Sequence, residues 1–567
     1  MKYFLKFLLI ISVLPLMAQE NYYTSPVKIP IFLSGSFAEL RSNHFHSGID
    51  IKTQQVTGIP VYAVADGFIS RIAVSPVGFG KALYIDHPNG TTSVYAHLDG
   101  FSNEIEKYIR DIQYERKTFR IDVKVPEGKL LVKKDQQIGK SGNSGSSGGP
   151  HLHFEIRDTE SEEPLNPLRF NFPVKDNTPP RIYAVMVAPL NEFSHVDFSA
   201  EKKIYQAVQA NGKYSLQNKT VIPAYGEVGI AIQAYDFFDG SQNRCGVYSV
   251  RVMFDGEEYY SVQKDRFSFD ETRYINSLLD YAELMNSNRR FQKTWVDPGN
   301  RLSMYKNSRR GGNLKVTDGN IHPVKIELKD LHGNTSLLEF NLSSQFKEVP
   351  RQEKKHEKYL RFDRQNNYEA EDVKLEFPVN TLYTDLMFNY KKKPAVKGVY
   401  SPIHVIHNPT VPLHSNVLLA VRTENLDPKQ HDKALLVLAD TLTGKLSTAG
   451  GEYKDGWVTG HIRNFGNYAV SVDTIPPTIL PLSFKADGTL NESSRIRFRI
   501  ADELSGIKEY EGTLDGKWAL FEYDAKSNTI VHYFDPSRFE LKKRHQLVLT
   551  VTDFKNNRRT YETSFWK

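Results

Sequence analysis

Five side chains in the first third of the sequence are of the types that bind metal ions and move protons. They lie in three separate segments and are His46, Asp50, His97, His151 and His153. His46 and Asp50 flank Gly48, which allows a sharp bend, so they can offer a nitrogen and an oxygen to the same ion. This spacing predicts a metal site.

The run from His151 to Ile156 alternates polar and apolar side chains. In a strand, this pattern puts His151, His153 and Glu155 on one face and leaves the apolar side chains for a core. Two neighbouring imidazoles repel when both are protonated, and a metal between them, or next to one of them, removes that repulsion. Glu155 is expected to support the site or to face solvent.

The ligand types favour a catalytic zinc. Three protein ligands and one open position are the pattern of a catalytic rather than a structural zinc. Nitrogen and carboxylate ligands without thiolate suit zinc, with manganese and iron as open alternatives, and the only cysteine, Cys245, is expected to be a small buried residue. Zinc polarises a peptide carbonyl and lowers the pKa of its bound water toward about 7. Two uncoordinated histidines can then orient the water, take its proton and stabilise the oxyanion.

Residues beside these five have other readings. His44 is an alternative ligand, since it lies two positions from His46, and Arg41 either touches substrate or pairs with a carboxylate. The Gly/Ser-rich run from Ser141 to Gly149 superficially suggests a phosphate loop. It lacks the Gly-Lys-Ser/Thr end that leads into a helix, so it is expected to be a flexible groove wall.

The elements that position these residues are predicted to be strands. Residues 26–172 contain short apolar-alternating runs bounded by Gly, Pro and Asn, with hairpin signals at Asp66-Gly67 and Asn89-Gly90. We therefore expect a compact all-β domain. One interruption, from Asn103 to Lys117, has helical spacing and is expected to be a helix inserted on a loop.

The rest of the chain is predicted to be a series of β-domains. Asp176-Asn-Thr-Pro-Pro recurs as Asp473-Thr-Ile-Pro-Pro, and each opens a stretch with an Asp-Gly turn and similar closing strands. We expect Ig-like sandwiches at 176–345 and 473–567, a further β-domain at 375–472, and a charged linker or sheet edge at 346–374. The fold class is thus mainly β, with several β-sandwich domains after the first.

The first residues and the overall charge indicate an exported globular protein. Positive charge and an apolar run before Ala18 predict a cleaved signal peptide over residues 1–18, too short for a membrane span, and no other stretch could cross a bilayer. The net charge of +6 is too diffuse to indicate nucleic acid binding. We expect the chain in the periplasm or cell envelope.

The segments from His46 to Asp50, from Tyr95 to His97 and from the Gly/Ser-rich loop through His153 resemble the lysostaphin/LytM-type (M23) metallopeptidases. The resemblance covers residues from about 30 to about 170. It implies an antiparallel β-fold of the duplicated hybrid motif type, with the site in a groove. It also implies one zinc ion held by the residues His46, Asp50 and His153.

The same resemblance assigns His97 and His151 to act on water and the tetrahedral intermediate. It implies a zinc endopeptidase that cleaves cross-links or stem peptides of bacterial peptidoglycan. The insertion between Gly100 and Gly128 departs from the family pattern and lies beside the predicted groove.

Two alternatives belong to other functional classes. Some members of the family have lost ligands and activate other cell-wall hydrolases without catalysis. All five expected positions are filled here, which argues against that role. The β-domains also permit an adhesin or scaffold that binds envelope protein partners, or a restraint that covers the groove.

Overall fold

The computed structural model of the protein describes residues 22–351, 355–440, 442–483, 488, 490 and 495–567. The expected signal peptide at 1–18 lies outside these residues. Within them the chain is mainly β, as predicted, and forms four successive units. None of the helices in the described ranges is long and apolar enough to cross a membrane.

The first unit contains twelve strands and one helix. They are β1 (Leu33–Gly35), β2 (Ile49–Lys52), β3 (Pro60–Tyr62), β4 (Gly67–Val74), β5 (Lys81–Asp86), β6 (Thr91–Ala96), β7 (Gly100–Phe101), α1 (Asn103–Arg116), β8 (Ile121–Lys124), β9 (Leu131–Val132), β10 (Gln137–Lys140), β11 (His151–Asp158) and β12 (Pro164–Leu165). The helix coincides with the predicted insertion, and it buries Ile105 and Ile109.

The main sheet of the first unit is antiparallel, with strand order β1-β2-β11-β6-β5-β4-β8. A smaller sheet has the order β3-β10-β7. Strand β11 follows the predicted alternation, because Leu152, Phe154 and Ile156 are fully buried in the core beneath the sheet. The same alternation turns the two histidines of β11 to the opposite face.

The second unit adds twelve strands and two short helices. They are β13 (Arg181–Pro189), β14 (His195–Val196), β15 (Lys203–Ala210), β16 (Lys213–Leu216), β17 (Val221–Tyr235), β18 (Ser249–Phe254), β19 (Glu257–Gln263), α2 (Ile275–Leu278), α3 (Tyr281–Ser287), β20 (Gln292–Lys293), β21 (Tyr305–Ser308), β22 (Leu314–Val316), β23 (Ile321–Lys329) and β24 (Thr335–Ser344). These twelve strands join in one hydrogen-bonded sheet.

The third unit is built on two five-stranded sheets, in the orders β26-β27-β31-β35-β34 and β29-β30-β36-β32-β33, and a short β25–β28 ladder. Its strands are β25 (Lys358–Leu360), β26 (Asn366–Ala370), β27 (Val373–Phe377), β28 (Leu386–Phe388), β29 (Tyr390–Lys393), β30 (Ile403–Ile406), β31 (Pro412–Arg422), β32 (Ala434–Ala439), β33 (Leu446–Gly450), β34 (Glu452–Lys454), β35 (Trp457–Asn464) and β36 (Gly466–Val472).

The expected linker at 346–374 needs correction. Strands β25 and β26 and the start of β27 fall inside it. The segment is rich in charge because its outward-facing positions are charged, while Leu360, Val373 and Leu375 alternate into the core of the third unit. The structure therefore favours the sheet edge over the linker, the two readings that the charge density left open.

The fourth unit is a pair of four-stranded sheets, in the orders β37-β38-β42-β41 and β40-β39-β43-β44. Its strands are β37 (Thr478–Pro481), β38 (Arg495–Ala501), β39 (Ile507–Leu514), β40 (Lys517–Ala519), β41 (Glu522–Asp524), β42 (Thr529–Tyr533), β43 (Arg544–Asp553) and β44 (Arg558–Trp566). Phe498 and Ile500 of one sheet and Leu549 and Val551 of the other share a single core, so the two sheets face each other.

Candidate metal centre

The register of the main sheet brings the predicted site residues together. Strand β11 lies between β2 and β6, and His153 is directly opposite Asp50 on one side and Ala96 on the other. His97 follows Ala96 at the end of β6, and His151 begins β11. The five side chains therefore meet at one end of three neighbouring strands.

Three of the five form a compact triangle of potential ligand atoms. His46 Nε2 lies 3.0 Å from Asp50 Oδ1 and 3.0 Å from His153 Nδ1, and His153 Nδ1 lies 3.0 Å from Asp50 Oδ1. Ligand atoms about 2.0–2.1 Å from a tetrahedral zinc are about 3.3 Å apart, so this donor set fits a zinc ion. All three side chains are buried, and His151 Nε2 lies 3.3 Å from the same Asp50 oxygen.

Each of the four histidines has one ring nitrogen engaged by a nearby oxygen acceptor, which fixes its tautomer when the ring is neutral. The pairs are His46 Nδ1 with Ser36 O at 2.8 Å, His97 Nδ1 with Ser144 O at 2.9 Å, His151 Nδ1 with Gly149 O at 2.8 Å, and His153 Nε2 with Glu155 Oε1 at 2.7 Å. The engaged nitrogen donates its hydrogen to the oxygen. The remaining nitrogen of each neutral ring then carries a lone pair, as a metal ligand or a proton acceptor requires.

Glu155 holds the His153 ring in place through a hydrogen bond. It is fully buried, accepts hydrogen bonds from His153 and Ser47, and pairs with Arg157 Nε at 2.6 Å. The Arg157 guanidinium in turn lies 4.6 Å from the ring centre of Phe269, in the second unit. Burial opposes ionisation of Glu155, but Arg157 and His153 lower its pKa to about 2. Glu155 is therefore a carboxylate that orients His153.

The protonation states of the histidine rings differ because their surroundings differ. Burial lowers the pKa of His46 to about 4, and burial together with the neighbouring imidazoles lowers the pKa of His97 to about 3. Burial also disfavours the charged form of His153, but the hydrogen bonds that the ring makes to the carboxylates of Asp50 and Glu155 raise its pKa to about 9. His97 is thus a neutral ring at pH 7, able to accept a proton.

The two uncertain neighbours of the site now have defined partners. Arg41 Nη2 lies 2.5 Å from Asp50 Oδ2, so it pairs with a carboxylate and holds the second oxygen of that residue. The exposed His44 donates from Nδ1 to Ser42 O at 2.9 Å and is not in the triangle. Of the two histidines in this loop, His46 and not His44 faces Asp50.

The Gly/Ser-rich loop forms a wall beside His97 and His151. Its Gly145 packs against Gly78 and Gly80, where an added Cβ would meet backbone atoms 2.3–2.4 Å away. His97 itself has a φ of 59°, an uncommon conformation for a residue with a side chain. Such strain is maintained only where the surroundings determine the geometry, and it is common at functional sites.

The loop that carries His46 is anchored in the second unit, which sequence reasoning missed. Phe37 and Phe45 belong to the core of the second unit, where both rings contact Phe267 at centroid distances of 5.4 and 5.5 Å. The Phe45 N–H donates to Thr272 Oγ1 at 2.9 Å. The only signal in the sequence was the pair of aromatic residues flanking a polar motif.

Comparison with known proteins places the similarity in the first and third units. Residues 44–113 and 119–167 match peptidase family M23, and residues 357–473 match a Zu5-like domain. The DD-carboxypeptidase/endopeptidase Mpg of Neisseria meningitidis serogroup B is 34% identical over 139 residues, which are 24% of this chain and 26% of that protein. The peptidoglycan DD-endopeptidase ShyB of Vibrio cholerae serotype O1 is 27% identical over 151 residues, 27% of this chain and 29% of that protein.

A solved zinc-containing peptidase from Vibrio cholerae is 26% identical and covers 27% of this chain and 41% of that one, with a TM-score of 0.20. The region of this chain that matches the Neisseria relative spans about a quarter of the length of that protein. The family match extends over all five convergent side chains. The first unit therefore contains a peptidase family M23 domain, as the resemblance of its three motifs predicted.

Proposed function

We propose that the chain is a zinc-dependent endopeptidase that hydrolyses peptide bonds in bacterial peptidoglycan. The observation that carries this proposal is the convergence of four imidazoles and one carboxylate, each oriented by its own hydrogen bond. Supporting it, the same residues lie in a family M23 match, and relatives of this region are named as peptidoglycan endopeptidases.

His46, Asp50 and His153 would hold the zinc ion. A zinc bound there supplies Lewis-acid chemistry, polarising the scissile carbonyl and making water acidic enough to lose a proton near neutral pH. Arg41 fixes one oxygen of Asp50, and Glu155 fixes the ring of His153. Such outer partners typically contribute about tenfold to about a hundredfold to metal affinity or activity.

His97 and His151 would perform the proton chemistry. Their ring centres are 4.8 Å apart, and both Nδ1 atoms are engaged by carbonyl oxygens. The neutral His97 accepts a proton from the attacking water and later delivers it to the leaving amine. His151, at the edge of the cluster, would donate from Nε2 to the oxyanion in its protonated form, since its Nδ1 is already engaged by Gly149 O.

The substrate class follows from the relatives and not from the pocket. The proteins similar to the first unit are named for peptidoglycan, which supports a cell-wall peptide as substrate and the periplasm or envelope as the location. The insertion that carries helix α1 would lie beside the groove and select among cross-links and stem peptides. The three later units would bind envelope protein partners or position the peptidase.

Digestion of purified peptidoglycan tests this function. The full-length chain from Gln19 onward should release soluble fragments with a newly freed amine at a peptide bond, identified by mass spectrometry. His97→Ala and His151→Ala should each lower the rate by about a hundredfold or more. His44→Ala is the matched control, since His44 is an exposed histidine outside the triangle, and it should retain the wild-type rate.

Two other outcomes would change the conclusion. If the wild-type chain holds zinc and cleaves neither peptidoglycan nor its isolated stem peptides, a role as activator or scaffold of other cell-wall hydrolases replaces the enzymatic one. If His97→Ala and His151→Ala digest peptidoglycan at the wild-type rate, the assignment of the proton chemistry is wrong.

A further inference from the structure

The second and fourth units carry the same cluster of acidic residues at equivalent places. In the second unit the carboxylates are Asp176, Asp236 and Asp330, and in the fourth they are Asp473, Asp502 and Asp553. The equivalence follows from strand register, because Arg181 pairs with Tyr235 just before Asp236, and Thr478 pairs with Ala501 just before Asp502. Ligand atoms of Asp473, Asp502 and Asp553 lie within 4.8 Å of one another, as do those of Asp176, Asp330 and His332.

The hydrogen bonds around the clusters are also repeated. Asn334 Nδ2 donates to Asp330 Oδ2 at 2.6 Å and to Asp176 O at 3.1 Å. Asn557 Nδ2 donates to Asp553 Oδ2 at 2.7 Å and to Asp473 O at 2.8 Å. Each asparagine therefore joins the end of a late strand to the residue that opens its unit.

Buried oxygens without partners distinguish the first cluster from an ordinary acidic surface. Asp176 Oδ2 and Asp236 Oδ1 are buried and accept no hydrogen bond from any described residue, although both side chains are more than nine-tenths buried. The Asp176 oxygen faces His332 Nδ1 at 3.7 Å, which is too long for a hydrogen bond. Leaving such atoms unsatisfied is costly in a protein interior.

Few positive charges balance the first cluster. The negative charges of Asp176 and Asp330 repel a negative charge on Asp236. The cation that opposes them is the buried Lys264, which also interacts with Glu39. In the fourth unit, the Ser505 N–H donates to Asp473 Oδ2 at 2.9 Å, while its buried hydroxyl has no partner among the described residues. The first cluster thus leaves buried carboxylate oxygens without donors, and the fourth leaves a buried hydroxyl without a partner among the described residues.

We propose that each cluster binds one calcium ion. Calcium takes six to eight oxygen ligands from carboxylates, backbone carbonyls and water, in flexible geometries, whereas magnesium demands a stricter octahedron. Carboxylates brought together from one linker and two strand ends, with backbone carbonyls beside them, provide that kind of donor set. A bound ion would satisfy the orphaned oxygens of Asp176 and Asp236.

The sites would stiffen two junctions of the chain. Asp176 lies between the peptidase unit and β13, and Asp473 lies between β36 of the third unit and β37 of the fourth. Calcium would fasten each entering linker to the ends of the strands that follow it. The orientation of the later units would then depend on calcium.

Calcium chloride titrated calorimetrically into the metal-free full-length chain tests the proposal. We expect about two calcium ions per chain, about one in Asp176→Asn, about one in Asp473→Asn and none in the double variant. Glu503→Gln is the matched control, because it alters an exposed carboxylate next to Asp502, and it should still bind two ions. Asp→Asn preserves shape while removing the charge.

Thermal unfolding decides the case if a variant does not fold. Calcium at a hundred times its dissociation constant should raise the unfolding midpoint of the wild-type chain by roughly 5–10 °C. An unchanged midpoint and no heat of binding would overturn the proposal, as would full calcium binding by the double variant. Equal stabilisation by magnesium chloride would overturn the assignment to calcium.

Discussion

His153 is the proposed ligand at which metal binding and protonation would compete. Asp50 and Glu155 raise the pKa of its ring to about 9 in the metal-free protein, against the effect of burial. A zinc ion held by this ring would need the Nδ1 lone pair, so its binding would displace the proton that Nδ1 carries below pH 9. Protonation of this one ring therefore sets the pH dependence of zinc affinity.

We predict that zinc affinity falls as pH falls between about 8.5 and 6.5, by up to about tenfold per pH unit. The sign follows from the raised pKa, because the fraction of His153 available as a ligand shrinks at every step below pH 9. Competition with a chromogenic chelator at three pH values measures it. An affinity that is constant across this range would contradict the proposed protonation of His153.

At the scale of elements, the loop between β1 and β2 depends on the second unit. Phe45 precedes His46 and is held by Phe267 and by the hydroxyl of Thr272. The position of His46, one of the proposed metal ligands, is thus set by a core that lies more than two hundred residues later in the sequence. An isolated first unit would lack this support.

We predict that Thr272→Val weakens zinc binding by about threefold to tenfold. The substitution preserves shape but leaves the Phe45 N–H without its acceptor, at a cost of about 1–3 kcal/mol. Part of that cost is relieved by a shift of the loop that carries His46, and this shift weakens zinc binding. Chelator competition again measures it. Thr335→Val, at an exposed threonine of β24, is the matched control and should leave affinity unchanged; equal effects of the two variants would refute the anchoring role.

Local patterns made the first unit largely predictable. The alternation in β11 identified which side chains share a face, and the three motifs identified five convergent residues before any coordinates. The role of Glu155 was also within reach, since it follows His153 by two positions on the same strand face. The tie of Phe45 to Phe267 was not, because no local pattern reports which distant core an aromatic side chain enters.

The later units were predictable as β-structure but not in their boundaries. In β26 and β27 the alternation between buried and exposed side chains is weak, and the charge of the exposed positions obscures it. The sequence therefore assigns residues 358–374 to the charged segment and not to a β-domain. The repeated Asp-x-x-Pro-Pro opening did indicate two related units. Their assignment as Ig-like remains a prediction.

At the scale of the whole molecule, the fourth unit docks on the peptidase unit beside the site. Lys526 Nζ donates to the backbone oxygens of Asn143 and Ser147 in the Gly/Ser-rich loop, the latter at 3.3 Å. Trp518 packs edge-on against Tyr114 of α1, with ring centres 5.1 Å apart. The loop that borders His97 and His151 is therefore clamped from outside.

We predict that the double variant Trp518→Ala, Lys526→Ala digests intact peptidoglycan roughly threefold to tenfold faster than the wild-type chain. Losing contacts worth about 1 kcal/mol changes a population about fivefold, and a freed loop would admit a polymer more often. Release of soluble fragments measures the rate. Lys508→Ala, at an exposed lysine of the fourth unit, is the control; a slower double variant would show that docking assists catalysis.

Elemental analysis of zinc in purified variants tests the central claim most directly. The wild-type chain and His151→Ala should each hold about one zinc ion, and His153→Ala should hold almost none, because a catalytic site loses its metal with a ligand but not with a proton-transfer group. Zinc retained in His153→Ala, or absent from the wild-type chain, would contradict the assignment of His46, Asp50 and His153 as the metal site.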